Sequence, residues 1–110
     1  MSRLLKNAQE LQEAVQPKEG VFVLFYAAWC PYSQRFLPVF EEIGRSAGEA
    51  FVRILADEHE HLCDQYAIDV YPTVLFFKSG NVSKRLDGTF HAGLSEREMK
   101  DLVITCRSGS

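Results

Sequence analysis

An α/β domain, with a central mixed sheet and helices on both of its faces, is the fold class this sequence predicts. Three observations carry it. Val21-Phe22-Val23-Leu24-Phe25-Tyr26 is apolar without alternation, as a strand is when both its faces are covered. Gln34 to Ile43 then repeats apolar residues at helical spacing, and Phe51 to Ala56 reads as a second strand. Strand, helix and strand therefore form one right-handed parallel unit. Finally, Thr73 to Phe77 and Val82 to Leu86, separated by Ser79-Gly80-Asn81, read as an antiparallel hairpin.

The remaining elements follow in chain order. Arg3-Leu4-Leu5 predicts a short edge strand. Asn7-Ala8-Gln9-Glu10 has the form of a capping box and predicts a helix to about Val15, with Leu11, Ala14 and Val15 inward. Pro17-Lys18-Glu19-Gly20 is a turn. The helix after the first long strand is expected to reach about Ala47, with Gly48 as its C-cap. Asp57 to Tyr66 predicts a short helix. Ser95-Glu96-Arg97-Glu98 is a second capping box, opening a last helix with Met99, Leu102 and Val103 on its core face, and 107–110 are expected to fray. The segment from Thr89 to Leu94 has no evident role.

At 110 residues the chain is one domain, 1–110, large enough to hold a core without staples. A net charge of −3 leaves no basic footprint for nucleic acid. No stretch approaches the run of about 20 apolar residues that spans a bilayer, so no membrane association is expected. The first residues are too polar for a secretory signal, which makes the cytoplasm the expected compartment. Three cysteines, widely spaced, make no disulfide framework.

Chemistry concentrates at Ala28-Trp29-Cys30-Pro31-Tyr32-Ser33, between the apolar strand and the amphipathic helix. A cysteine there sits at the positive end of a helix, where unpaired N–H groups favour a thiolate. A free cysteine, with a pKa of about 8.5, is only a few per cent ionised near neutrality, and the helix start is expected to lower that value. Pro31, just inside the helix, stands where proline costs least. Ser33 is expected to donate its O–H to the sulfur anion. The bland alternative is a buried, inert Cys30 beside a core Trp29.

Trp29-Cys30-Pro31-Tyr32-Ser33, Pro38 eight residues after Cys30, and Tyr66-Ala67-Ile68-Asp69-Val70-Tyr71-Pro72-Thr73 together resemble the thioredoxin family over nearly the whole chain. The resemblance implies a thioredoxin fold, with Cys30 as nucleophile and Pro72 in the cis form that is rare elsewhere. It sets the Tyr71 backbone beside the sulfur, able to pair with an extended peptide like an added strand. Trp29, Pro31, Tyr32, Tyr71 and Pro72 become the substrate-binding residues. Two departures stand out. The family's second active-site cysteine is Ser33 here, and the buried carboxylate usually found six residues before the first cysteine is Leu24. Both changes remove parts that serve a resolving cysteine. Arg53 matches a lysine that the family keeps near that carboxylate and is thereby left without an expected partner.

Without a second thiol, Cys30 can attack a disulfide but needs an outside thiol for release. The expected activity is therefore exchange with protein or peptide disulfides. Release would come from the substrate's own thiol, which amounts to isomerisation, or from glutathione. The chain also reads as a Cys→Ser form of a Cys-Pro-Tyr-Cys reductase served by a thioredoxin reductase. The alternative is a non-catalytic module that holds a protein in the groove around Trp29 and Pro72. Cluster binding, as in single-cysteine glutaredoxins, is disfavoured because their Gly-Phe after the cysteine is Pro-Tyr here. His59 and Cys63, at i, i+4, supply two ligands where a zinc site takes four, so no metal or other cofactor is expected, with a polar face the plainer reading. Cys106 reads as half-buried packing, and a monomer is expected.

Overall fold

The computed structural model describes residues 2–47, 50–89 and 92–107. Five strands, β1 (Arg3–Leu5), β2 (Val21–Tyr26), β3 (Ala50–Leu55), β4 (Thr73–Lys78) and β5 (Asn81–Asp87), form one sheet in the order β1-β3-β2-β4-β5. β1, β3 and β2 run parallel, while β4 and β5 are antiparallel to their neighbours. Four helices, α1 (Ala8–Ala14), α2 (Pro31–Ala47), α3 (Glu60–Gln65) and α4 (Glu96–Arg107), pack on it.

The unbroken apolar run of β2 has the expected cause. Val21, Val23 and Phe25 face α1 and α3, packing with Leu11, Leu62 and Phe77. Phe22 and Leu24 face α2 and α4, packing with Phe36, Phe40, Phe51 and Met99. Each fully buried valine, leucine or phenylalanine side chain contributes roughly 1.5–3 kcal/mol of transfer free energy, and β2 places all five of these residues at 1% exposure or less. The central strand is thereby deeply fixed, as is its neighbour β4, and the chain that leaves its C-terminal end inherits a rigid base.

Both capping sites form. Asn7 Oδ1 accepts the Glu10 N–H at 2.8 Å, although the Glu10 carboxylate reaches the Lys6 N–H rather than that of Asn7. Ser95 and Glu98 make the reciprocal pair at 3.0 and 3.1 Å. The expected cap at Gly48 lies outside the described residues, as do 108–110 of the expected frayed end and two residues of the 89–94 segment.

Strand ends shift by a residue from the sequence reading in β3, β4 and β5, and two differences have a visible local cause. β3 ends at Leu55, one residue early, because Ala56 opens a 3-10 turn, Ala56–Glu58. The expected single helix over 57–66 is broken at His59, whose φ of −141° and ψ of 59° are not helical. The His59 carbonyl instead accepts the Leu62 and Cys63 N–H groups and starts α3 afresh. α3 ends at Gln65 with Tyr66 as its C-cap, and Ala67 beyond it, at φ 53°, turns the chain away, with Ile68 N–H on the Cys63 carbonyl at 2.8 Å and Ala67 N–H on the Asp64 carbonyl at 3.3 Å. Arg85 of β5 then covers the Tyr66 and Ala67 carbonyls at 3.0 and 3.1 Å, tying this corner to the sheet.

Arg53 has partners the sequence did not reveal. It lies beside Leu24 in the β2–β3 register. Its guanidinium meets Glu41 of α2 at 3.3 Å, the Ser2 hydroxyl at 3.2 Å and the Ser2 carbonyl. The Tyr26 hydroxyl lies 3.4 Å from its Nε. With an apolar side chain at position 24, the charge finds its carboxylate on the helix instead of the strand.

Candidate active site

The chain leaves β2 at Tyr26 and turns into α2 through Ala27 to Cys30. The Cys30 N–H donates to the Ala27 carbonyl at 3.2 Å, and the Cys30 carbonyl accepts the Gln34 N–H at 3.0 Å, so Cys30 is the N-cap residue of α2. Two side chains of the first turn reach back to hold this connection. Ser33 Oγ accepts the Ala27 N–H at 3.1 Å, and Gln34 Nε2 donates to the Ala28 carbonyl at 2.7 Å. Helical side chains lean toward the N-terminus, which aims Ser33 at the end of β2. Sequence reasoning assigned the Ser33 hydroxyl to the sulfur. Among the described residues, Ser33 makes no hydrogen bond to Cys30, and its oxygen is engaged by backbone while the side chain is fully buried.

The partner of the Cys30 thiol is the Tyr71 carbonyl, at 3.9 Å. The Tyr71–Pro72 peptide bond is cis, and Pro72 leads directly into β4, the antiparallel neighbour of β2. Adjacent central strands thus deliver both halves of the site. Cys30 is 6% exposed, whereas Trp29 is 65% exposed and meets the Tyr71 ring edge to face at 6.2 Å. Trp29 is therefore not a core aromatic. A groove of about 370 Å³ opens beside the sulfur, lined by Trp29, Tyr32, Asp69, Val70, Tyr71 and Thr89. Arg35 lies over the Tyr32 ring at 5.3 Å. Pro31 is exposed on the first turn of α2.

Thr89 gives the segment after β5 a place. Thr89 and Gly93 exchange backbone hydrogen bonds at 2.8 and 2.7 Å, and Thr89 lines the groove. Gly88, just before Thr89, passes so close to the cis-proline that a Cβ there would lie 2.5 Å from the Pro72 carbonyl oxygen. Gly88→Ala is expected to displace the Tyr71–Pro72 segment, costing roughly 1–3 kcal/mol of stability and slowing reaction of Cys30 with peptide disulfides. Denaturant melts and adduct kinetics measure the two effects; a variant matching the parent in both would refute this close approach.

Behind the groove, the Tyr71 hydroxyl donates to Cys63 Sγ at 3.9 Å. Burial first, and then this hydrogen bond, push the Tyr71 phenol up to about 12. Burial likewise pushes the Cys63 thiol up, outweighing the Tyr71 hydrogen bond that acts the other way, with Asp64, Glu60 and Asp57 adding to the rise. Both groups therefore hold protons more tightly folded than unfolded. Their stabilisation is complete about a unit below the unfolded thiol's value of about 8.5, and is lost as pH climbs through that value and on through the folded ones. Urea midpoints are expected to fall from pH 9 to 11, less steeply in Tyr71→Phe; a parent midpoint that rises over this range would contradict the assignment.

The metal reading of His59 and Cys63 loses its geometry. His59 precedes α3 in non-helical conformation, and Cys63 points into the core. Among the described residues, no three His, Cys, Asp or Glu side chains are grouped to hold a metal, and no helix is long and apolar enough to cross a membrane. Cys106 is half-buried against the α2–α4 core, as the sequence implied. Sequence reading missed Val70, Thr89 and Cys63. Val70 stood inside the quoted Tyr66–Thr73 motif, next to Tyr71, whereas only spatial approach to Tyr71 and Cys30 marks Thr89 and Cys63.

A mixed five-stranded sheet that sets a cysteine at a helix N-terminus against a cis-proline is the fold of a thiol–disulfide oxidoreductase. The thioredoxin family model matches residues 3–100, and the chain belongs to the thioredoxin family. Protein disulfide isomerase-like 2-2 of Oryza sativa subsp. japonica is 30% identical over 82 residues, which covers 70% of this chain and 22% of that protein. The chain thus spans about a fifth of that relative's length. Thioredoxin of Mycoplasmoides gallisepticum is 29% identical over 100 residues, covering 90% of this chain and 96% of the relative. Plasmodium falciparum thioredoxin superposes with a TM-score of 0.84 over 94% of this chain and 97% of its own, at 23% identity, a likeness of fold.

Proposed function

We propose that the protein carries out thiol–disulfide exchange through the single nucleophile Cys30, acting on disulfides of proteins or extended peptides. One observation supports this above the others: the position three residues into the motif, where a resolving thiol would stand, is a fully buried serine engaged with backbone. The Cys30 thiolate attacks one sulfur of the substrate disulfide. The Cys30–substrate disulfide forms, the substrate S–S bond breaks, and the second substrate sulfur leaves as a thiolate. A thiolate from outside then attacks the mixed disulfide and restores Cys30. When it is the substrate's own, the substrate is isomerised with no net redox change. When it is glutathione, the substrate leaves as a mixed disulfide with glutathione.

In this cycle, Ser33 and Gln34 hold the turn that aims the sulfur. The Tyr71 backbone, Trp29, Tyr32 and Pro31 receive the chain flanking the substrate disulfide, and Pro72 fixes the direction of Tyr71. Such a cycle suits a compartment that supplies a thiol, such as the cytosol.

The test is incubation with a peptide disulfide, followed by mass spectrometry under non-reducing conditions. One peptide adduct on Cys30, lost in Cys30→Ser and discharged by added glutathione, is the expected result. An adduct that glutathione does not discharge points to the disabled dithiol reductase. Tight peptide binding with no adduct, unaffected by Cys30→Ala, would establish the non-catalytic module instead.

A further inference from the structure

Tyr71 is held at three points, and one of them lies outside the exchange site. Its carbonyl accepts the Cys30 thiol at 3.9 Å. Its ring takes the edge-to-face contact with Trp29. Its hydroxyl, at the far end of the side chain, donates to Cys63 Sγ at 3.9 Å. Cys63 itself is well anchored. It is 6% exposed, its thiol donates to the Ala56 carbonyl at 3.7 Å, and its own carbonyl accepts the Ile68 N–H that ends α3. Cys63 is thus the fixed partner and Tyr71 the one it restrains.

We propose that Cys63 is a positioning residue for the substrate groove: its sulfur, by accepting the Tyr71 hydroxyl, keeps the Tyr71 backbone and ring set against Cys30 as an extended substrate requires. This rests on the reading of Cys30 as the exchange thiol. The residue type fits the space. Sulfur accepts a hydrogen bond at a separation where a hydroxyl oxygen would need the donor about 1 Å nearer, so serine would leave the phenol short of its partner. Burial and the raised proton affinity of both groups keep the pair neutral near neutral pH, with Tyr71 donating to Cys63 and Cys63 to Ala56. A disulfide between Cys63 and Cys30 is not part of the proposal, because Tyr71 stands between the two sulfurs.

The experiment compares two reagents on Cys30. Iodoacetamide needs only to reach the sulfur, whereas an extended peptide disulfide must also align along Tyr71. In Cys63→Ala, the rate of peptide adduct formation at Cys30 is expected to fall about two- to fivefold, the scale of one modest hydrogen bond. The iodoacetamide rate should stay within about 1.5-fold. Tyr71→Phe should lower the peptide rate similarly, and the double variant no further, since each change deletes the same contact. Equal effects on both reagents, or additive losses in the double variant, would overturn the proposal. A second measurement stands apart from reactivity. NMR titration of the Tyr71 ring should move down from about 12 in Cys63→Ala; an unchanged midpoint overturns the contact itself. If Cys30 of the parent forms no adduct while the Tyr71 titration moves as expected, the proposed function fails and the Tyr71–Cys63 contact stands.

Discussion

Ser33→Cys is expected to clear mixed disulfides from Cys30 at least about a hundredfold faster than the parent in the absence of any added thiol. The parent has no second sulfur in the motif, so its adduct waits for a collision with a free thiol. A cysteine at position 33 would attack from within the same helical turn, and intramolecular groups gain orders of magnitude in effective concentration. The new sulfur would take the place of an oxygen that accepts the Ala27 N–H at 3.1 Å in a fully buried site. Ionising it there has no carboxylate to help, because Leu24, at 0% exposure, occupies the place of the family's buried acid. Release should therefore quicken as pH rises. Stopped-flow release of a fluorescent peptide, with and without glutathione, measures the effect. If the Ser33 form turns over with glutathione at least as fast as its cysteine counterpart, the single thiol is the working arrangement. If only the cysteine form turns over, and a thioredoxin reductase recycles it, the parent is best understood as a dithiol reductase lacking its second sulfur.

The largest loss of stability among these changes is expected from Gly20→Ala, roughly 3–5 kcal/mol. Gly20 closes the turn before β2 at φ 105°, where a Cβ is strained whatever the space around it. There is no space either: that Cβ would lie 2.1 Å from Cζ of Phe76. Phe76 is 4% exposed and packs on Phe22 with ring centroids 4.6 Å apart, so the ring cannot swing away without opening the core between the sheet and α2. The melting temperature should drop by roughly 12 °C or more. Phe76→Leu in the same chain should recover part of the loss by relieving the contact but not the strain. A drop of only a degree or two would mean that the turn readjusts freely.

These two residues mark how far the sequence reaches. Pro17 to Gly20 reads as a turn from its composition, yet nothing local says that Phe76, 56 residues later in the chain, closes over it. Ser33 reads as part of the motif, yet its oxygen serves the Ala27 N–H and not the sulfur. The order of elements, the two-faced burial of β2, the inward residues of α1 and α4 and the Ser95 cap were legible because each depends on the spacing of side chains within one segment. The break at His59 was not. Its residues are compatible with one helix, and the chain breaks instead so that α3 starts afresh from the His59 carbonyl.

By itself, the sequence determined the α/β class and its element order, the cysteine at a helix start, and the missing second thiol. These follow from hydrophobic period and from residue identity, which are local properties. Tertiary structure alone decided which groups meet. It set Arg53 against Glu41, Gly88 under Pro72, Thr89 beside the groove, and Cys63 behind Tyr71. Those meetings depend on strand register and on how closely two backbones approach, quantities that come into being only when segments distant in the chain pack together.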